Sequence, residues 1–327
     1  MPTSTPKTSL FRRTLALFGW TRASSVLLGG FFLIIFLILY VWWPLAEQVL
    51  AIIDWSGKWW LYMDWLLVGV FFFMSLTIIV HADLRRDALI VFVATVGGLV
   101  IESWGTQTNL WFYYTAERPP LWIVPAWPIA TLSIDRIMRA LNWGIERLGL
   151  LLTHPPCPRF DRVSTGSTCQ LSAAPALAGK GLSSNKLGVK THSRKNYEDF
   201  LSFAFKIIYW LIFIVFYGVM LYFVAPTLDK SFTLMALLLC AFLIITPTDY
   251  RHAVLVFVAG SGLGYFLELW GTTRQCWTYY TFQTPPFFAV LAHGMAAVAF
   301  WRAGLVMKKS FQVIWNRKEA TSYPPTP

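Results

Sequence analysis

The sequence is poor in charge. Only 13% of its 327 residues are Asp, Glu, Lys or Arg, against 56% apolar and 17% aromatic. Soluble globular domains carry about a quarter charged residues, so a water-exposed globule is excluded as a first description. Cysteine is also scarce. Cys157, Cys169, Cys240 and Cys276 show no C-x-x-C or paired spacing, which argues against a disulfide framework. No P-loop, G-x-G-x-x-G, H-E-x-x-H or G-x-S-x-G occurs, which removes the motif-borne nucleotide, zinc and hydrolase readings. No metal site and no cofactor is expected.

What the sequence has instead is long apolar runs, such as "SSVLLGGFFLIIFLILYVWW" from Ser24 to Trp43. A helix rising about 1.5 Å per residue needs about 20 residues to cross a core of roughly 30 Å. Eight candidate spans follow: 25–45, 62–80, 88–103, 120–140, 203–225, 231–247, 252–269 and 286–306. The formal net charge of +11 lies between these spans, so nucleic acid is not an expected partner. With both termini inside, 23 Lys and Arg residues fall in inner segments. Only Lys58, Arg118, Lys230 and Arg274 fall outside. That split predicts cytoplasmic termini in a bacterial inner (plasma) membrane. The first apolar run has no small-residue cleavage site after it and is expected to stay as a span.

The expected fold is therefore all-α, a polytopic membrane helix bundle of about eight transmembrane helices in two tandem four-helix repeats. Residues 1–24 form a cytoplasmic N-terminal segment and 25–152 the first membrane repeat. A basic linker rich in Ser, Gly and Pro covers 153–198 and is expected to be flexible. The second repeat takes 199–310 and a cytoplasmic tail 311–327.

The repeat rests on one block. "ESWGTQTNLWFYYTAERPP" (Glu102 to Pro120) and "ELWGTTRQCWTYYTFQTPP" (Glu268 to Pro286) match without gaps at an offset of 166, with ten of 19 positions identical. Upstream, "RDALIVFVA" from Arg86 matches "RHAVLVFVA" from Arg251 at an offset of 165. One extra residue is thus expected in the second copy, within "GSGLG". Four spans per half return the chain to its starting side, so the copies share one orientation about an axis along the membrane normal. The two carboxyls then approach each other if the halves pack face to face. Small residues (Ala94, Gly97, Gly98; Gly260, Gly262, Gly264) permit close helix approach.

Glu102 and Glu268 head the blocks near the far ends of their spans. An ionisable group there must face the protein interior or a polar cavity. A carboxyl short of water favours its neutral form and can donate a proton, so both are candidate catalytic acids. Trp104, Thr106, Trp111, Tyr113 and Tyr114, with Trp270, Thr272, Trp277, Tyr279 and Tyr280, are candidate substrate-binding residues in a re-entrant or interfacial segment. Gly105 and Gly271 are expected where each helix ends and turns. His293, a further candidate substrate-binding residue, lies in the last span and can pair with Glu268 or Glu102, whereas Trp127 holds the equivalent place in the first half. Asp64 is expected at the interface, and the "HADLRRDA" turn as a charged cap.

The order E-x-x-G-x-x-T, an aromatic cluster ending Y-Y, then Pro and a span, resembles the carotenoid hydratase family of the bisanhydrobacterioruberin hydratase type. Glu102, Gly105, Thr108 and the cluster Trp111 to Tyr114 carry the likeness, over about 20 residues. Asn109 after Thr108, Tyr113 after Phe112, and Arg274 at the place of Thr108 depart from the family pattern. The resemblance implies a membrane enzyme that adds water across a terminal double bond of a linear carotenoid. A neutral Glu would protonate the alkene and aromatic faces would stabilise the cation. Two other readings stay open: a transporter or permease with an acidic site in mid-membrane, and a non-catalytic membrane assembly protein. In each, the expected partner is a membrane lipid or a lipid-phase small molecule.

Overall fold

The computed structural model describes residues 19–153 and 185–322, residue 246 excepted. In chain order these form helices α1 (Arg22–Val41), α2 (Trp43–Ile52), α3 (Trp65–Ile79) and α4 (Leu84–Gln107), strand β1 (Trp111–Tyr113), and helix α5 (Ala126–Thr153). The second half adds α6 (Asn185–Val224), α7 (Ser231–Ile244), α8 (Tyr250–Thr273), strand β2 (Trp277–Tyr279) and α9 (Phe287–Ser322). Among the described residues five helices are long and apolar enough to cross a membrane: Arg22–Val41, Leu84–Gln107, Glu198–Thr227, Tyr250–Thr273 and Phe287–Val313. The chain is an α-helical membrane protein.

The expectation of eight spans is met for five. Helices α3 and α7 are apolar but have 15 and 14 residues, about 22 and 21 Å, short of a hydrocarbon core of roughly 30 Å. Helix α5 has the length, but Asp135, Arg136, Arg139, Glu146 and Arg147 interrupt its apolar character. Most of the expected N-terminal segment (1–18), residues 154–184 of the expected linker and the tail beyond 322 lie outside the described residues. The linker's last part is helical, since α6 starts at Asn185, and α9 continues past residue 310 into the expected tail.

One end of the bundle is basic. Arg136 is buried there in an ion pair with Asp87 at 2.6 Å, and Arg86 meets Asp135 at 3.3 Å. Asp87 thus neutralises a buried charge, while Asp83 accepts from the Arg85 N–H at 3.0 Å and caps α4. Arg251 lies 3.6 Å from Glu146 at the same end. The Ser24 hydroxyl, donating to the Ile79 carbonyl at 2.8 Å, ties α1 to the end of α3.

Helices α4 and α8 both have 24 residues, and Asp249 caps α8 as Asp83 caps α4. The offset is therefore 166 from cap to glutamate, and the extra residue expected in the second copy is absent. An insertion inside a helix would turn everything beyond it by about 100° and carry Glu268 off the face that Glu102 occupies on α4.

Both helices run through the glycines expected to end them. Each ends two residues further on, at Gln107 and Thr273, with Asn109 (φ 62°) and Gln275 (φ 55°) in the left-handed region. The N–H of Leu110 donates to the Gly105 carbonyl, and that of Cys276 to the Gly271 carbonyl, both at 2.9 Å. This six-to-one closure satisfies carbonyls that a helix end would otherwise leave open. The chain then extends into β1 or β2. These pair antiparallel with Trp111 opposite Tyr279 and Tyr113 opposite Trp277. The segment expected to be re-entrant is thus half of a two-stranded ribbon that joins the two halves at the end opposite the basic one.

Candidate functional site

Strand geometry builds the site. Side chains two apart share a face, so Trp111 and Tyr113 turn inward together while Phe112 is exposed. Trp277 and Tyr279 turn inward from the facing strand. The glycines expected as turn residues make room instead. A Cβ on Gly105 would lie 1.9 Å from the Trp111 ring, and one on Gly271 would lie 2.0 Å from the Trp277 ring.

Each inward pair meets the glutamate of its own helix. Glu102, 3% exposed, accepts from Trp111 Nε1 at 3.1 Å and the Tyr113 hydroxyl at 3.0 Å on Oε2, and from Trp127 Nε1 at 3.0 Å on Oε1. Glu268, equally buried, accepts from Trp277 Nε1 on Oε2 and the Tyr279 hydroxyl on Oε1, both at 2.9 Å. Its third neighbour is His293, with Nε2 2.9 Å from Oε1. Burial first, and then the charge of the neighbouring glutamate, pushes the Tyr113 and Tyr279 phenols well above their usual range. Both hydroxyls keep their protons and remain donors.

Trp127 and His293 stack on one another, centroids 5.6 Å apart and 20° from parallel. Each packs on a glycine that a Cβ would bring to 2.4 Å: Gly98 under Trp127 and Gly264 under His293.

Both glutamates line one cavity of about 460 Å³, together with Trp104, Trp111, Tyr113, Trp270, Trp277, Tyr279 and His293. The rest of its wall is mainly apolar, with Phe31, Val70, Met74, Phe216, Met220 and Phe300 among the lining residues. Phe92, Val96, Val100 and Leu239 also line it, yet they are 54%, 47%, 44% and 48% exposed. The cavity thus reaches the outer flank of the bundle beside α4 and α7. Trp42 lines it as well, and its buried indole N–H has no protein partner. Among the described residues no group of three or more His, Cys, Asp or Glu is arranged to hold a metal ion.

Four expected substrate-binding residues do not reach this cavity. The Thr106 and Thr272 hydroxyls donate to the carbonyls of Glu102 and Glu268 one turn back in their own helices. Tyr114 and Tyr280 turn to the other strand face and donate to the carbonyls of Val41 and Phe223. These hydroxyls are consumed in fastening the ribbon and helices.

Sequence reading missed how the halves hook together. Trp104 Nε1 donates to the Thr233 hydroxyl of α7 at 3.3 Å. Trp270 Nε1 donates to Asp64 Oδ2 at 2.8 Å, and Arg274 Nε to the same oxygen at 3.0 Å. Asp64, expected at the membrane interface, also binds the opposite half. In the other direction, Lys230 Nζ donates to the Thr108 carbonyl at 2.9 Å. A constant offset of 166 pairs Asp64 with Lys230 and Thr108 with Arg274, and was the available signal. No family model matches the chain, and no curated protein or solved structure matches it.

Proposed function

We propose that the protein is an integral-membrane enzyme that admits an apolar, bilayer-dissolved molecule of isoprenoid or carotenoid type and protonates it from the glutamate pair. The observation that carries this reading is the shared cavity. Two buried carboxyls line one chamber whose remaining wall is mainly apolar and which reaches lipid-facing residues. A molecule already dissolved in the bilayer needs only such a lateral way in. The resemblance to the carotenoid hydratases supports the same chemistry.

The site's residues supply each part of a hydration. A glutamic acid gives its proton to one alkene carbon, and the π electrons form the new C–H bond. The cation left on the other carbon faces the rings of Trp111 and Trp277. A water then forms the C–O bond and returns a proton to the carboxylate, so the net change is the addition of water. The free indole N–H of Trp42 is a donor for that water or for the new hydroxyl.

The reading includes two tandem repeats of one four-helix unit, eight crossings and cytoplasmic termini in a bacterial inner membrane. The equal lengths and caps of α4 and α8 support the repeat. The Arg cluster at one end of the bundle supports the orientation, by the rule that inner loops are basic.

The test is untargeted mass spectrometry of pigment and lipid extracts from cells expressing the wild type, Glu102→Gln, Glu268→Gln or no protein. Membrane insertion is checked by blotting. The expected result is an apolar species heavier by one water, present with the wild type and absent with at least one variant. Identical profiles in all four, with all proteins inserted, overturn the reading.

A further inference from the structure

The two carboxyls have almost the same surroundings, so the difference in their third partner is informative. At the third position around Glu102 stands Trp127, and around Glu268 stands His293. An indole N–H only donates. An imidazole nitrogen donates in one tautomer and accepts in the other.

Consider where a proton can rest. If Glu102 is protonated, neither Trp111 nor Trp127 can accept it. Tyr113 could do so only by turning its own hydroxyl hydrogen away from the carboxyl. If Glu268 is protonated on Oε1, His293 Nε2 lies 2.9 Å away as a possible acceptor. Trp277 and Tyr279 keep donating throughout. The proton can sit on either partner and every hydrogen bond survives. His293 is also held for this role, stacked on Trp127 and seated on Gly264.

We propose that the exchangeable proton of the site belongs to the Glu268–His293 pair, with Glu268 the catalytic acid and His293 the partner that shares its proton. Glu102 is then a positioning residue, an acceptor that holds Trp111, Tyr113 and Trp127 against the cavity. This rests on the proposed function in assigning catalysis to the site, but the placement of the proton stands without it. The other titratable groups lining the cavity are Tyr279 on β2, Tyr113 on β1, Glu102 on α4 and Cys240 on α7.

The assignment is tested without a substrate, by infrared difference spectroscopy of the purified full-length protein in lipid nanodiscs while pH is varied. The carboxyl C=O band is the probe. The expected result is a pH-dependent band that persists in Glu102→Gln and vanishes in Glu268→Gln. His293→Trp, which copies the first half, removes the pH dependence. His293→Gln gives the same result with a smaller side chain, should the tryptophan variant fail to fold. A pH-dependent band that survives Glu268→Gln, or no such band in the wild type at any pH, overturns the assignment. The two proposals separate cleanly. The expected bands with no change in any cellular lipid leave the proton where it is assigned and remove the hydratase reading. A band lost only in Glu102→Gln, alongside a lipid product, does the reverse.

Discussion

The two corners flanking the ribbon share a scaffold and differ in charge. At the first, the Thr108 carbonyl closing α4 receives Lys230 Nζ. At the second, Arg274 stands where Thr108 stood and Asp64 where Lys230 stood, and the two pair at 3.0 Å. The glutamates, glycines and tyrosines beneath are the same in both, and of the tryptophans only Trp127 is exchanged, for His293. The difference makes the pairing one-way. Two second halves would set Arg274 against Lys230, cation on cation. Two first halves would set Asp64 against a carbonyl, acceptor on acceptor. Disfavouring the wrong partner in this way is how interfaces gain specificity. The inner site is nearly symmetric while its rim is built for a hetero-pair.

The largest effect is expected where the corners are alike. Gly105→Ala and Gly271→Ala each drive a Cβ into a tryptophan ring. Overpacking of this kind should cost about 3 kcal/mol, read as a lower unfolding temperature in detergent. Gly262, with nothing within 4 Å of its Cβ position, is the control. Gly262→Ala should be neutral or stabilising by up to about 1 kcal/mol. Equal effects at all three would mean that the rings do not need those glycines.

The corners should then come apart. Asp64→Ala strips the partner from the buried Trp270 indole and should cost about 1–3 kcal/mol. Its contact with Arg274, which is 51% exposed, adds little because solvent screens it. Lys230→Met loses one hydrogen bond to a helix-end carbonyl and should cost under about 1 kcal/mol. Thermal unfolding of the two variants side by side checks this. A Lys230→Met cost as large as that of Asp64→Ala would erase the distinction between the corners.

Between those two fall Tyr113→Phe and Tyr279→Phe. Each removes one of three donors from a glutamate and should cost roughly 1–2 kcal/mol. Similar stability losses with unequal effects on the pH-dependent carboxyl band would sharpen the contrast between the halves. Smallest are Thr106→Val and Thr272→Val. They lose only a bond to a carbonyl that is already engaged in the helix, so stability should move by about 0.5 kcal/mol and lipid product not at all. A lost product would return those hydroxyls to the cavity.

Much of this was legible because depth and repetition leave strong marks. Long apolar runs located the helices, and the duplicated block named both acids and most of the rings around them. What escaped was direction. Tyr113 and Tyr114 look equivalent in a string of letters, but a strand sends neighbours to opposite faces, so one reaches Glu102 and the other reaches Val41. The ribbon itself was hidden, because three residues per strand carry too little pattern and their partners lie 164 to 168 positions away. The glycines were misread for a similar reason. A glycine marks a turn or a close approach equally well, and only the neighbouring ring decides which. The apparent shift of register upstream arose from matching "VFVA" letters on two apolar helices, where many alignments score alike while the aspartate caps fix one.

The ribbon has a consequence for biogenesis. The backbone of β1 finds its partner only in β2, and a strand edge without a partner is costly near lipid. During translation β1 leaves the ribosome 166 residues before β2. At roughly 5–20 residues per second that is a delay of about 8–30 s. Through that interval the first half is inserted with its edge unsealed. The membrane insertion machinery must therefore tolerate or shield an open half-site.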